Sequence, residues 1–261
     1  MIRVAVCGAA GRMGQTVTQA LNDALDLELV AAIDVVGVTD VSPHFIDVHE
    51  ALAATSPDVT VDFSVADAAA ANALVALEAD VSPVIGTTGM SPAQIAGIEQ
   101  LAAERGVGAF IAPNFAIGAV IMMEMAKLAA PHLDHVEIIE LHHDRKIDAP
   151  SGTAARTAEL IIQARGGRPA ADAPTETFNL DGVRGGVTDG VRIHSVRLPG
   201  FVAHQEVIFG GPGQFLSVRH DSTSRESFMP GVLLAVRRVR ELSGLVIGLE
   251  HLLFESAEGS E

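Results

Sequence analysis

Hydrophobic positions in the first half of the chain gather into short apolar runs, and amphipathic stretches separate them. Ile2–Cys7, Leu27–Asp34, Val59–Phe63, Val84–Gly86 and Val107–Ala112 read as strands, since runs of this length bounded by turn residues are too short for helices. Between them, stretches from about Arg12 to Leu25, from Ala66 to Glu78 and from Pro92 to Glu104 carry helical character. Strand–helix alternation of this kind builds a doubly wound parallel sheet with helices on its faces. After a helix at Ala116–Ala130 the pattern changes. His135–Leu141 reads as a strand and Ser151–Ala164 as a helix, and Val191–Leu198, Phe201–Phe209 and Phe215–His220 read as consecutive strands. Leu198-Pro199-Gly200 and Gly210-Gly211-Pro212-Gly213 are turn signals of the kind that join antiparallel strands. Arg165 to Gly190 is expected to form loop, Met229–Leu242 to return as a helix onto the first domain, and the acidic residues after Glu255 to fray.

The fold class is therefore α/β: a Rossmann-like doubly wound parallel sheet with an inserted α+β domain. The expected divisions are residues 1–115, 116–227 and 228–261.

Gly8-x-x-Gly11-x-x-Gly14 follows the first strand and opens a helix. It departs from the Gly-x-Gly-x-x-Gly fingerprint, because Ala10 and Met13 occupy that pattern's later glycine positions. The physics is shared: a tight turn, close backbone approach to a pyrophosphate, and a helix dipole aimed at it. Asp34 lies 20 residues beyond Gly14, where an acid that grips ribose hydroxyls belongs. An ordinary strand-end turn residue is the alternative, and the loop before it favours the cofactor reading. Gly86-Thr87-Thr88 and Ala112-Pro113-Asn114-Phe115 fall at carboxyl ends of strands, where open α/β sheets hold ligands. On sequence alone, turn chemistry explains them equally well.

Residues 140 to 154 hold the densest chemistry: His142, His143, Lys146 and a Ser151-Gly152-Thr153 turn that opens a helix. The chain has 17 Lys+Arg, yet only Lys127 and Lys146 are lysines. Arginine is never deprotonated in proteins, whereas lysine can give up a proton, so a lysine kept here suggests proton chemistry. The two histidines end a strand and point to opposite faces. Ser151 is a plausible N-cap, and the N–H groups behind it would accept a carboxylate with Gly152 permitting close approach.

The run Glu140-Leu-His-His-x-x-Lys-x-Asp-Ala-Pro-Ser-Gly-Thr153 resembles the signature of the 4-hydroxy-tetrahydrodipicolinate reductase (dihydrodipicolinate reductase) family. The likeness extends from Val4–Gly14 through Val61–Ser64, Gly86–Gly89 and Ala112–Ala119 to Val202–Gly210, and so covers nearly the whole chain. It implies a dinucleotide-binding domain over 1–115, a substrate-binding and tetramerisation domain over 116–227, and a return over 228–261. It further implies His142 as acid/base, Lys146 as proton donor, and substrate contacts from His143, Ser151, Gly152 and Thr153. Gly8, Ala9, Ala10, Gly11, Arg12, Met13, Asp34, Gly86, Thr87, Thr88, Ala112, Pro113, Asn114 and Phe115 would contact NADH or NADPH. Arg225 and Phe228 look like family positions at ligand or hinge. The implied assembly is a homotetramer and the implied substrate a small dicarboxylate.

Charge and composition narrow the alternatives. A formal net charge of −16 disfavours nucleic acid, which needs a basic patch, and it repels the anionic ligands just named. Arg145-Lys146 beside a helix N-terminus is a local answer to that repulsion. Cys7 is the only cysteine, so an extracellular disulfide scaffold is not expected, and the chain reads as soluble and cytoplasmic. No stretch reads as a membrane span and no metal is expected, since His-Glu-x-x-His spacing and cysteine pairs are lacking. A semialdehyde dehydrogenase would need a catalytic thiolate, and Cys7 lies in the first strand. A nucleotide-sensing module without chemistry would not need His142 and Lys146, and NADH oxidation separates it from an enzyme.

Overall fold

The computed structural model describes residues 1–37, 43–170 and 180–254. Its first compact unit comprises Met1–Ile117 and the segment returning at Arg225; the second is Gly118–Ser224. The first runs β1 (Ile2–Cys7), α1 (Arg12–Asp23), β2 (Leu27–Ile33), β3 (His44–Phe45), α2 (Val48–Thr55), β4 (Val59–Asp62), α3 (Ala66–Glu78), β5 (Ser82–Ile85), α4 (Pro92–Arg105) and β6 (Ala109–Ile111). The chain then passes through α5 (Ile117–Ala129) to β7 (His135–His142), α6 (Gly152–Ala164), β8 (Gly186–Thr188), β9 (Val191–Arg197), β10 (Ala203–Gly211) and β11 (Gln214–Ser222). It returns through α7 (Met229–Arg238), β12 (Leu245–Ile247) and α8 (Leu249–Phe254).

The first sheet has the order β12-β6-β5-β4-β1-β2-β3, and every pairing in it is parallel. From β1 the chain winds outward to β2 and β3, then jumps back to β4 on the other side. That reversal leaves a crevice at the carboxyl ends of β1 and β4, the place where such sheets bind ligands. The central strands are apolar because both faces are covered: Val4, Ala5, Val6, Val59 and Val61 have no exposed surface. Small residues of α3 (Ala69, Ala73) close on Ile85, Ile98 and Ile111, while Ala5, Cys7 and Ile33 pack with Ala51 and Leu52 of α2. The doubly wound class expected from the alternation is the one observed.

Several expected boundaries change. β3, α2, β12 and α8 lie in stretches to which the sequence pattern assigned no element, and the helix expected over Met229–Leu242 is α7 followed by a short 3-10 turn at Val239–Glu241. The segment expected as loop contains β8, joined to β9 through Asp189-Gly190, both at positive φ. That geometry is the two-residue hairpin turn that Asp-Gly favours. Residues 171–179 of that segment and the tail from 255 lie outside the described residues.

The second sheet has the order β11-β10-β7-β9-β8. Gly210–Gly213 turns the β10–β11 hairpin as expected, but Leu198-Pro199-Gly200 does not join paired strands. β7 lies between β9 and β10, pairing parallel with one and antiparallel with the other. Its alternation sets two faces. Val136, Ile138 and Glu140 are buried together with Val207, Phe209, Val191 and Ile193, and Ala154, Ala158 and Ile161 of α6 are buried as well. The opposite face is mixed. Ile139 and Ile208 are half-buried among a Glu137–Arg184–His194 cluster and a Glu206–Arg219–Asp221–His204 cluster.

Candidate functional site

In the first unit, glycine is required where the loop after β1 meets its neighbours. Gly8 has φ +76°, and a Cβ there would sit 2.8 Å from the Phe63 backbone; on Gly14 it would sit 2.1 Å from the Gly8 carbonyl oxygen. The loop therefore packs tightly against the start of α1. Gly11 is the N-cap of α1 with no side-chain cap, and the first turn holds no acid. Helix-terminal N–H groups carry partial positive charge, so the place a capping side chain would take suits a phosphate.

A cleft of about 460 Å³ opens beside the loop, lined among others by Gly8, Gly11, Asp34, Val35, Ile46 and Phe63. The Asp34 carboxylate accepts the Ala10 N–H at 2.9 Å through Oδ2 and the Val36 N–H at 3.0 Å through Oδ1. Both bonds fix its orientation, and each oxygen keeps a lone pair for a hydroxyl. A loop that a Cβ would block, an uncapped helix start and a fixed acid together fit a dinucleotide. Arg12 is exposed at the helix start, and Val35 and Val36 are exposed beyond the acid, so no cation directly follows Asp34.

The strand-end segments come together as neighbours, since β4, β5 and β6 lie side by side. A Cβ on Gly86 would lie 2.1 Å from the Phe63 ring, which in turn packs against Phe115 at 5.8 Å. Thr87 is buried and its hydroxyl bonds Asp62 Oδ1 at 3.1 Å, so it serves that carboxylate; Thr88 is exposed. Ser64 and Asn72 complete the bonds to Asp62. Asn114 accepts the Ala116 N–H, Ala112 and Phe115 are buried, and Pro113 is exposed. Ala9 is buried behind the loop, whereas Ala10 and Met13 are half-buried. Cys7 is fully buried, and burial, with Asp62 next in effect, pushes its thiol well above the ordinary range. It is no nucleophile.

In the second unit, the buried face of β7 carries Glu140 and then His142 at its carboxyl end, one row apart. Glu140 is completely buried. Its Oε2 accepts from His142 Nδ1 at 2.5 Å and Arg197 Nη1 at 2.8 Å; its Oε1 accepts from Arg197 Nη2 at 2.7 Å and the Ser151 N–H at 3.2 Å. Burial alone raises the Glu140 carboxyl, but hydrogen bonds from His142, Arg197 and Ser195 outweigh it and hold the group at about 2. Arg197 also donates to the Asp148 carbonyl at 2.7 Å, and the Asp148 carboxylate pairs with Lys146 Nζ at 2.8 Å. The Lys146 hydrogen bond lowers the Asp148 carboxyl, outweighing burial, which raises it. Ser151 is buried and caps α6, its Oγ accepting the Ala154 N–H at 3.2 Å. A Cβ on Gly152 would meet open space, so the helix start is approachable there.

The structure thus joins His142, Lys146 and Ser151 in one hydrogen-bonded cluster. His143 is half-buried, and its Nδ1 has no protein partner. Glu140 and Arg197 hold the cluster, and sequence reasoning assigned neither a role. Glu140 was visible only as the first residue of the motif, and Arg197 lies 51 residues after Lys146, a proximity that only the β7–β9 pairing creates. Phe63, Ile46 and Val65, which line the cleft, also went unassigned. Arg225 and Phe228 lie in a 3-10 turn at the start of the returning segment. Among the described residues no group of three or more His, Cys, Asp or Glu is placed to hold a metal ion, and no helix is long and apolar enough to cross a membrane.

Sheet order, glycine loop and fixed acid define a Rossmann-type dinucleotide-binding protein with an added α+β unit. Comparison with known proteins narrows the class. Residues 2–115 match the family described as dihydrodipicolinate reductase, N-terminus, and residues 118–253 match dihydrodipicolinate reductase, C-terminus. The 4-hydroxy-tetrahydrodipicolinate reductase of Moorella thermoacetica is 52% identical, over 97% of this chain and 98% of its own length. That of Bacillus pumilus is 46% identical with the same coverage. A dipicolinate-bound dihydrodipicolinate reductase structure from Paenisporosarcina sp. TG-14 superposes with a TM-score of 0.88 at 42% identity, covering 96% of this chain and 99% of that one. The chain belongs to the dihydrodipicolinate reductase family.

Proposed function

We propose that this chain is an NAD(P)H-dependent oxidoreductase that reduces 4-hydroxy-tetrahydrodipicolinate to tetrahydrodipicolinate, in diaminopimelate and lysine biosynthesis. The observation that carries this reading is the cluster joining His142, Glu140, Arg197, Asp148 and Lys146 to the start of α6, in a chain 52% identical to a reductase of that name. The first unit holds the dinucleotide and the second the substrate. When bound, the dinucleotide supplies a hydride. Loss of the 4-hydroxyl as water leaves a conjugated cyclic imine, and hydride addition drives negative charge toward its ring nitrogen. Lys146 places a positive charge and a proton donor for that nitrogen, and His142 completes the proton relay. The N–H groups at Gly152 and Thr153 receive a substrate carboxylate, with His143 beside them. The dipicolinate in the Paenisporosarcina structure, itself a dicarboxylate, supports this assignment.

Asp34 is assigned to the ribose hydroxyls, with the glycine loop and the strand ends Gly86–Thr88 and Ala112–Phe115 around the rest of the cofactor. With Val35 and Val36 after the acid, NADH is used at least as well as NADPH. The half-buried face of the second sheet, with Ile139 and Ile208 among paired charges, supports a homotetramer built through it. Light scattering at micromolar concentration is expected to give four times the chain mass; a monomer would sink that part. We assign the enzyme to the cytoplasm. The activity is tested by following NADH absorbance while a synthase makes the substrate in situ from pyruvate and aspartate semialdehyde. Absorbance falls only when both precursors are present if the reading is right; none lost with either cofactor overturns it.

A further inference from the structure

The hydrogen-bond pattern around Glu140 goes beyond the roles assigned above, although it rests on the reading of His142 as the acid/base. We infer that Glu140 is a positioning residue: it fixes the neutral His142 ring with its proton on Nδ1, leaving Nε2 as the working nitrogen, and through Arg197 and Asp148 it sets the place of Lys146. Four N–H hydrogens converge on two carboxylate oxygens, one from His142, two from Arg197 and one from the Ser151 backbone, beside the Ser195 side-chain bond. An ionised carboxylate accepts all four, and with Oε2 only 2.5 Å from Nδ1 the ring has to present a proton there.

Stability alone is a poor reason for this arrangement. Buried ion pairs seldom outperform apolar residues of similar size, since desolvation offsets their attraction. Here Arg197 Nε is also left buried with no partner. The cluster instead ties together three parts of the chain that the proposed chemistry needs in register. His142 stands at the end of β7, the Lys146–Asp148 pair sits in the following loop, and Ser151 opens α6.

Glutamine in place of Glu140 discriminates between a mere filler and a positioning group. Its NH₂ would face an Arg197 donor whichever way the amide turned. Turned one way, it meets the Ser151 N–H as well. Turned the other way, it donates to His142 Nδ1 and forces the ring proton onto Nε2. No orientation satisfies all partners: the one that keeps an acceptor for Nδ1 sets the NH₂ against both Arg197 and the Ser151 N–H, so Glu140→Gln loosens the hold on the tautomer.

The test is a long-range ¹H–¹⁵N spectrum of ¹⁵N-histidine-labelled protein, with His142 assigned from its absence in His142→Asn. With the ring neutral, wild type is expected to show protonated Nδ1 and bare Nε2. Glu140→Gln is expected to show the opposite tautomer or a mixture. Arg197→Lys, which leaves the Glu140–His142 bond in place, keeps the wild-type form. A kinetic cycle gives the second readout. Glu140→Gln lowers kcat by roughly 10²–10⁴-fold in wild type, the usual worth of a positioned acid or base, and by a clearly smaller factor in a His142→Asn background, where only its hold on Lys146 through Arg197 and Asp148 remains. Additive losses would mark Glu140 as merely structural and overturn the inference. So would a wild-type His142 carrying its proton on Nε2, a result that does not depend on any variant folding. If His142→Asn keeps wild-type turnover while Glu140→Gln still shifts the tautomer, the acid/base reading of His142 fails and the tautomer assignment stands.

Discussion

Replacing Gly14 with alanine tests the packing of the glycine loop on α1. In an open helix position this change helps, by about 1 kcal/mol, because glycine is the poorer helix former. Gly14 is not open. The new Cβ would lie 2.1 Å from the Gly8 carbonyl oxygen, 2.7 Å from Ala9 Cα and 2.8 Å from Gly8 C, all of them backbone atoms with no rotamer to escape into. The loop has to move by more than about 1 Å to restore ordinary van der Waals spacing. Overpacking of this kind costs about 1–3 kcal/mol, so a net loss of up to about 2 kcal/mol remains after the propensity gain. In a chain of this size that lowers Tm by up to roughly 8 °C. The same displacement moves the helix-start N–H groups off the phosphates, and a lost charge-assisted hydrogen bond, worth about 1.5–3 kcal/mol, weakens NADH by roughly 10–100-fold. Gly97→Ala in α4 is the control, because its Cβ would meet nothing within 4 Å; it should stabilise slightly and leave binding alone. Thermal melts and NADH fluorescence titration read both effects, and with no Trp or Tyr in the chain the cofactor emits against a dark background. A Gly14→Ala protein that melts at or above wild type and binds NADH normally would refute the reasoning.

Three further outcomes follow from the same geometry. Asp34→Ala should weaken NADH by roughly tenfold or more, the worth of one charge-assisted hydrogen bond, while sparing or improving NADPH; kcat/KM for both cofactors decides it, and a wild type strongly specific for NADPH contradicts it. Glu140 is held at about 2 against an ordinary 4.5, so its contribution to stability is present above about pH 4.5 and is lost as pH falls toward 2. Melts from pH 7 downward should therefore show the gap between wild type and Glu140→Gln narrowing across that window; a constant gap contradicts the assigned shift. Lys146→Ala and His142→Ala carry the remaining prediction, on catalysis, stated below.

Much of this molecule was legible in its sequence, and the exceptions share physical causes. Long elements with consistent periods, such as β1, α1, α3 and α6, fall close to where the apolar pattern puts them. β3 and β12 are too short, at two and three residues, to show any period, and only pairing with a neighbouring strand defines them. α2 had a readable start, since Asp47 caps it by accepting the Glu50 N–H at 3.0 Å. The Asp189-Gly190 turn was equally open to reading but was hidden in a loop-like composition. Strand order in the second sheet could not be read from turns, because β7 enters between β9 and β10 from an earlier part of the chain. The site divides in the same way. His142, Lys146 and Ser151 announce themselves by chemistry, whereas Arg197 becomes visible only once β9 lies beside β7.

The central claim is that the second unit performs proton chemistry on a substrate while the first binds the dinucleotide. Its most direct test is steady-state NADH oxidation by Lys146→Ala and His142→Ala on in situ substrate, with NADH affinity measured on the same preparations. Each variant should lose roughly 10²–10⁴-fold in kcat, the range for a positioned acid, and keep wild-type NADH affinity. Near-wild-type turnover in either variant would remove its assigned role, and a matching loss of NADH affinity would place that residue with the cofactor instead.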